Sequence, residues 1–328
     1  MTITLNKKNI FTIETASKQI KTPFYFPSIS SIKSNYDFLE YFNILKKIGY
    51  PGFLVSAYDI SHHEKRVQIL KEISDLSENN TFVMIDSGEY ESSWKQDESW
   101  SFTNFKKIIE DTVADFIFGF DVFWDDKSKV HSHVKETAKN AAMTAASQKM
   151  GITIPIIHSN IENYPDVVMQ VVESINPQII GIPERELGSS LLERAETLSR
   201  IRLNLIKNKR DELPIHLLGT GNPLSILIYF LCGADLFDAL EWSTTVVDPK
   251  NGHLYHFTQK DLLECDCKAC SIKNVPYHFK TMAHNLLFYE KFTLEIRKAV
   301  EENKIDSLLE KYLPKWFIPK IKKMMIRK

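Results

Sequence analysis

Residues Ile215–Leu240, IHLLGTGNPLSILIYFLCGADLFDAL, contain two short apolar runs separated by a helix-like segment. The first run, Ile215–Gly221, ends in Gly-Thr-Gly, and the second run, Ala234–Leu240, carries Asp238 near its end. Near-continuous apolar runs of this length are typical of strands that are buried on both faces, as in parallel sheets. The stretch therefore predicts a strand–helix–strand unit of an α/β protein.

The same pattern occurs along most of the chain. Six earlier runs have this character: Phe24–Ser28, Gly52–Ala57, Thr81–Asp86, Asp115–Asp121, Ile152–Ser159 and Gln178–Pro183. Helix-like segments, for example Val134–Met150 and Leu191–Asn208, lie between the runs. Eight strand-then-helix units fit a (β/α)8 TIM barrel better than an open sheet. We therefore predict an α/β protein with a single TIM-barrel domain over residues 1–328.

Composition and charge limit the functional classes. With 43% hydrophobic and 25% charged residues, the 328-residue chain has an ordinary globular composition, which excludes wholesale disorder and fibrous repeats. Its formal net charge of −1 means that any nucleic-acid partner must be held by a local patch. The longest apolar stretch, Leu224–Ala234, is about half of the ~20 residues that a membrane span requires. We expect a cytoplasmic protein that does not interact with membranes.

Polar residues follow the apolar runs at the ends that meet in the mouth of a barrel, where active sites form. These residues are Asp86, Ser87, Gly88, Asp121, His158, Glu184–Glu186, Gly219–Gly221 and Asp238. Helix capping would explain any one of them. It does not explain why several acids end apolar strands, because an unpaired carboxylate near a core is costly. The set therefore predicts a functional site.

Three cysteines, Cys265, Cys267 and Cys270, lie within six residues of one another. Clustered thiolates with a nearby histidine are typical of a structural zinc site, and either His278 or His284 is close enough in sequence to be the fourth ligand. Four protein ligands leave no open position for water, so a Zn²⁺ ion here would stabilise the segment at about 260–300 rather than take part in chemistry.

Several segments, in order, resemble the tRNA-guanine transglycosylase (queuine/archaeosine tRNA-ribosyltransferase) superfamily. They are DSGEYE at 86–91, FD at 120–121, HLLGTGNP at 216–223, GADLFD at 233–238, NGHL at 251–254, and the cysteine cluster followed by AHNL at 283–286. The resemblance spans about residues 22–300 and selects His284 as the fourth metal ligand. It implies a pentosyltransferase that exchanges guanine in a polynucleotide for a free 7-deazaguanine base, as a homodimer.

The resemblance also implies roles for individual residues. Asp238 would be the nucleophile and Asp86 the general acid and base. Eight residues would bind the substrate base: Ser87, Tyr90, Asp121, His158, Gly181, Glu186, Leu218 and Gly219. Among them, Asp121 would accept from the amino and ring N–H edge, Tyr90 would stack on the base, and Gly181 would offer a backbone amide. Glu184 is the alternative to Glu186 as the pocket carboxylate.

The chain departs from the family pattern in places that bear on the polynucleotide. Glu89–Glu91 replaces Gly-Phe-Gln, and 241–249 replaces a basic stretch that helps relatives to hold RNA. We therefore expect tRNA as the substrate, with DNA as a near-equal alternative and a non-catalytic partner subunit as a further one. The basic tail at 311–328, with Trp316 and Phe317, is either a strand-binding segment or a solvated helix face. Trp94 and Trp100 are predicted to cover a barrel edge rather than to form a lid.

Overall fold

The computed structural model describes residues 1–7, 9–33, 36–122 and 130–327. Three antiparallel strands come first: β1 (Thr2–Leu5), β2 (Phe11–Glu14) and β3 (Gln19–Lys21). Eight parallel strands follow: β4 (Phe24–Ile29), β5 (Gly52–Ser56), β6 (Phe82–Asp86), β7 (Phe116–Phe118), β8 (Ile152–Ile154), β9 (Ile180–Pro183), β10 (Ile215–Leu218) and β11 (Leu236–Ala239). Each of the eight predicted runs coincides with one of these strands, and only β4 extends beyond its run, by one residue.

The eight parallel strands form a barrel, in the order β8-β7-β6-β5-β4-β11-β10-β9. The two edge strands approach each other just beyond β8, where the Gly181 N–H donates to the Pro155 carbonyl at 2.9 Å and the Ile157 N–H donates to the Gly181 carbonyl at 2.9 Å. The predicted α/β TIM barrel is therefore confirmed. Its interior is filled by aromatic rings: the fully buried His216 ring has its centroid 6.1 Å from that of Phe26 and 5.1 Å from that of Phe118.

Helices connect the strands and cover the outside of the barrel. They are α1 (Phe38–Ile48), α2 (Ala57–His62), α3 (Arg66–Glu78), α4 (Glu89–Lys95), α5 (Phe102–Asp111), α6 (Val130–Ser147), α7 (Tyr164–Ile175), α8 (Leu191–Lys207), α9 (Pro223–Cys232), α10 (Glu241–Thr244), α11 (Lys268–Ser271), α12 (Tyr277–Glu301), α13 (Ile305–Tyr312) and α14 (Ile318–Lys322). A short hairpin, β12 (Thr245–Val247) with β13 (Leu254–His256), follows α10. Among the described residues, the helices are all too short or too polar to cross a membrane.

The most apolar stretch of the sequence, at 224–234, forms most of α9. The Asn222 side chain accepts from the backbone N–H groups of Leu224 and Ser225, and Pro223 occupies the first turn, so the helix begins where its sequence predicts. Residues Ile226–Cys232 are all buried. The absence of a polar face therefore reflects a helix buried in the core, with α8 and α12 packed against it.

Buried charges close the N-terminal end of the barrel. Lys18, which precedes β3, donates to Asp115 at 2.7 Å and to Ser77 at 2.9 Å. Asp235, just before β11, binds the guanidinium groups of both Arg202 and Arg327. Arg327 therefore anchors the C-terminal tail at the end of the barrel opposite to the predicted site; the last tail residue, Lys328, lies outside the described residues. The sheet β1–β3 at this end was not predicted from the sequence.

Candidate active site and metal centre

Asp238 is the penultimate residue of β11, and its carboxylate is held by donors from both neighbouring strands. Oδ1 accepts from His216 Nε2 at 2.8 Å and from the Gly219 backbone N–H at 3.4 Å, whereas Oδ2 accepts from Ser28 Oγ at 3.0 Å. A carboxylate oxygen accepts, so the His216 ring donates from Nε2 in this contact, and the buried Nδ1 of the ring has no hydrogen-bond partner among the described residues. Asp238 remains 8% exposed, so a fixed carboxylate faces the mouth of the barrel.

Asp86 ends β6 and is the second acid at the mouth. Burial raises the pKa of Asp86 well above its usual value, and the nearby Glu91 and Asp238 carboxylates raise it further. The single weak donor to Asp86, the Gly88 backbone N–H at 3.4 Å, does not offset them. Asp86 therefore keeps its proton at a pH at which an exposed aspartate has lost it. Gly88 is required at this turn because its φ is +86° and a Cβ would lie 2.5 Å from Tyr58 Cβ.

Glu91, on α4, is a buried carboxyl group beside Asp86. It accepts from Ser30 Oγ at 2.5 Å and from Ser56 Oγ at 2.7 Å. Ser56 is the register partner of Asp86 in the β5–β6 ladder, so the Ser56 side chain lies next to both acids. Burial, together with Asp59, raises the pKa of Glu91 to about 7.

A histidine connects two further acids on the other side of the mouth. His158 Nε2 lies 2.9 Å from Asp121 Oδ1, and His158 Nδ1 lies 3.0 Å from Glu186 Oε1. Burial lowers the pKa of His158, but the two carboxylates outweigh this effect and raise the pKa to about 10. His158 is therefore an imidazolium at neutral pH. Tyr164 completes the group by donating its hydroxyl to Glu186 Oε2 at 2.9 Å.

The two glutamates proposed as alternatives for the pocket have different surroundings. Glu184 accepts from Arg194 Nη1 at 2.8 Å and from Tyr229 at 2.9 Å, both of which belong to outer helices. Glu186 instead binds His158, which is part of the site. The contacts therefore favour Glu186 over Glu184.

One predicted base contact is wrong. The Gly181 N–H donates to the Pro155 carbonyl and closes the barrel, so this amide is not free to meet a base. A side chain at Gly181 would lie 3.1 Å from Phe118 and 3.2 Å from Leu218 Cδ1, so the glycine makes room for Leu218 at the end of β10. By contrast, the buried Ser87 hydroxyl finds no hydrogen-bond partner within the described part of the chain.

Three residues of the site, Ser28, His216 and Glu91, carry no sequence-based prediction of a role. His216 had a recognisable signal, because it is an imidazole inside an apolar strand and must have a partner when buried. Ser28 and Glu91 had none, since each contacts a residue that is distant in sequence or on another element. Glu241, which follows β11, is a further buried acid: burial, with Asp238, raises the pKa of Glu241 to about 7.

The two tryptophans near the mouth differ. Trp100 is half-buried, donates from Nε1 to the Ser87 carbonyl at 3.0 Å and packs edge-on against Tyr58. Trp94, in contrast, is 59% exposed. The prediction that both tryptophans cover a barrel edge is therefore wrong for Trp94.

The cysteine cluster forms a four-residue group with His284. One ligand atom from each of Cys265, Cys267, Cys270 and His284 lies within 4.8 Å of the others, and His284 Nδ1 is 3.4 Å from Cys270 Sγ. His284 Nε2 donates to the Val247 carbonyl at 2.8 Å, which leaves the Nδ1 lone pair directed at the sulfur atoms. His278 lies elsewhere, stacked on Tyr36. Three thiolates and one imidazole with this orientation could hold a metal ion.

Comparison with known proteins gives consistent matches. The sequence model of the family described as "Queuine tRNA-ribosyltransferase" matches residues 7–317 of this chain. The chain is 24% identical over 309 residues to the tRNA-guanine(15) transglycosylase of Nanoarchaeum equitans, covering 89% of this chain and 72% of that protein. For the protein of the same name from Methanopyrus kandleri the identity is 23% over 321 residues, covering 91% and 68%. The queuine tRNA-ribosyltransferase of Aquifex aeolicus is 32% identical over 127 residues, covering 31% and 33%.

Proposed function

This chain belongs to the queuine tRNA-ribosyltransferase family and is a pentosyltransferase, and we propose that it replaces guanine in a nucleic acid with a 7-deazaguanine base through a covalent Asp238 intermediate. The observation that carries the proposal is the contrast between the two acids at the mouth. Three donors hold the carboxyl oxygens of Asp238, whereas Asp86 has one long backbone contact and a pKa that burial raises. Two acids in such different surroundings at one site are the arrangement that nucleophilic displacement with acid assistance needs.

In the first half of the reaction, an oxygen of Asp238 attacks C1′ of the target nucleotide. The C1′–N9 bond breaks and its electron pair goes to the departing guanine, which takes a proton from Asp86. In the second half, Asp86 takes the N9 proton of the incoming base, and N9 displaces Asp238 from C1′. Two displacements at one carbon preserve the configuration of the sugar and require no ATP or redox cofactor. His216 and Ser28 keep the carboxylate in place through both halves.

We assign recognition of the base to Asp121 and the His158 that contacts it. A carboxylate accepts from both the ring N–H and the amino group of guanine, an edge that a 7-deazaguanine also presents and adenine does not. When Asp121 turns to this edge, the Nε2–H of His158 becomes a donor for the adjacent carbonyl oxygen of the base. The buried Ser87 hydroxyl is a further partner for a base, and Tyr90 on α4 supplies a stacking surface.

The two archaeal relatives are tRNA-guanine(15) transglycosylases, so we adopt tRNA as the first candidate for the polynucleotide. DNA is the second candidate, because the segment at 241–249 lacks the basic residues expected of an RNA-binding stretch. The presence of both Asp86 and Asp238 argues against a non-catalytic partner subunit. The test is to incubate the protein and its Asp238→Asn variant with labelled guanine and tRNA, duplex DNA or single-stranded DNA. If the unmodified protein incorporates guanine into one polymer and Asp238→Asn does not, that polymer is the substrate. If the unmodified protein incorporates guanine into none of the polymers, the proposal is refuted.

We further propose that the metal held by Cys265, Cys267, Cys270 and His284 is a structural Zn²⁺. The thiolate–imidazole donor set and the carbonyl partner of His284 both suit zinc. The expected result is one zinc per chain by elemental analysis, and loss of that zinc in Cys267→Ser but not in Cys232→Ser, which alters a buried cysteine outside the cluster. A homodimer stays a prediction, to be measured by light scattering.

A further inference from the structure

Two aromatic side chains form a surface that begins at the mouth of the barrel and extends outward along α4. Tyr90 and Trp94 lie four residues apart on this helix and therefore on the same face. Their ring centroids are 6.2 Å apart, at an interplanar angle of 65°. Tyr90 is half-buried, whereas Trp94 is 59% exposed and lies farther from Gly88, where the helix leaves the mouth. The helix thus presents a second ring one turn beyond the ring assigned to the exchanged base.

Two exposed cations lie near these rings. The Lys33 amine lies 5.9 Å from the centre of the Trp94 ring, and its charge also acts on Glu241 beside the nucleophile. Arg185 is exposed and close enough for its charge to act on the Tyr90 phenol. Lys95, by contrast, is engaged within the fold, because its amine lies 3.6 Å from the buried Asp59. Lys33 and Arg185 are therefore two cations of the described residues that can meet a phosphate at this edge of the mouth.

We infer that Trp94, with Lys33, stacks a nucleotide adjacent to the exchanged guanine and binds its phosphate. This inference rests on the proposed function. A guanine that enters the pocket must leave its stack, which exposes the faces of its neighbours. Proteins that bind single strands combine aromatic rings for the bases with cations for the backbone, and the Tyr90–Trp94 pair with Lys33 has both components. This surface also offers contacts to the strand that the segment at 241–249, which lacks basic residues, does not offer.

The chain contains a matched control for this surface. Trp316, between α13 and α14, is 68% exposed and has the Lys320 amine 5.2 Å from its ring centre. It has the same chemistry as the Trp94–Lys33 pair, but it lies in a segment that packs on α12 and α8 outside the barrel, which favours the solvated-face alternative for the tail over the strand-binding one. Trp94→Ala and Trp316→Ala therefore remove equivalent rings from two different places.

The test measures binding of a short single-stranded oligonucleotide with one guanine, in RNA and DNA forms, to the full chain carrying Asp238→Asn to prevent turnover. We expect Trp94→Ala to weaken binding about 10-fold, Trp94→Phe to restore most of it, and Trp316→Ala to leave it unchanged. Replacing the nucleotide on one side of the guanine with an abasic site is expected to weaken binding to the protein with Trp94 by about the same factor, and to have no effect when Trp94 is alanine.

Equal losses from Trp94→Ala and Trp316→Ala, or an abasic effect that persists without Trp94, would overturn the inference. Failure of the proposed function has a different signature. Absence of guanine exchange in the unmodified protein refutes that function, whatever the oligonucleotide binding shows. Exchange with an unchanged KM for the polynucleotide in Trp94→Ala refutes only the stacking inference.

Discussion

Replacing Glu91 with glutamine should change the pH dependence of the reaction in a defined direction. Glu91 is the charged neighbour with the largest influence on Asp86, and burial is the only larger effect on the Asp86 pKa. The substitution removes that charge, while the amide can still hydrogen-bond to the hydroxyl groups of Ser30 and Ser56. The pKa of Asp86 should therefore fall. The proposed role of Asp86 requires a protonated carboxyl group, so the rate should decline at a lower pH than in the unmodified protein.

The size of this change follows from the geometry. Ser56 is the register partner of Asp86 on the neighbouring strand, and its Oγ donates to Glu91 Oε2 at 2.7 Å. Both carboxyl groups therefore lie beside the Ser56 side chain. Charges at such a separation shift a pKa by about 1 unit or more. The pKa of Glu91 is itself about 7, so its charge, and hence the effect, develops only above that pH. We expect the alkaline limb of guanine release to move down by about 1 pH unit, with rates below pH 6 nearly unchanged.

The assay is kcat/KM for guanine release from pH 5 to pH 10, with labelled guanine in the polynucleotide that proves to be the substrate. Glu89→Gln is the matched control: it removes a carboxylate from the same helix, but Glu89 is not among the main influences on Asp86. An alkaline limb that stays in place in Glu91→Gln, or moves upward, would refute the reasoning. A uniform loss of rate without a shift would give Glu91 a purely structural role.

Three further outcomes are expected. Asp238→Asn should reduce exchange by at least about 1,000-fold while far-UV circular dichroism and Tm stay near those of the unmodified protein; a normal exchange rate would remove the nucleophile assignment. Asp121→Ala should raise the inhibition constant of free guanine at least about 10-fold, because charged hydrogen bonds to the base are lost, and unchanged inhibition would contradict the role in recognition. The pKa of His158 is raised from 6.5 to about 10, so its stabilising contribution is complete below pH 6.5 and is lost as the pH rises toward 10. In urea unfolding, the free energy of unfolding of the unmodified protein should therefore fall by up to about 5 kcal/mol more than that of His158→Gln across that range. Parallel plots of this free energy against pH would show that His158 is not charged.

Much of the fold is predictable because burial on two faces leaves a strong signal. Each of the eight barrel strands lies in an apolar run, and the acids that end those runs fall at one mouth for a topological reason. The sheet β1–β3 was missed, because short strands with partly exposed faces resemble ordinary loop sequence. The exposure of Trp94 was also missed, since an aromatic residue within a helix is usually a packing residue.

The sequence by itself determined the barrel, the acids at its mouth and the cluster of three cysteines, because these depend on local pattern and spacing. The tertiary structure alone decided which side chains meet. Ser28 donates to Asp238, which is 210 residues away in the sequence, and His216 contacts the same carboxylate from the neighbouring strand. The amide of Gly181 donates to the Pro155 carbonyl where the barrel closes. These contacts depend on strand order and register, which bring distant residues within 3 Å although no short stretch of sequence contains both partners.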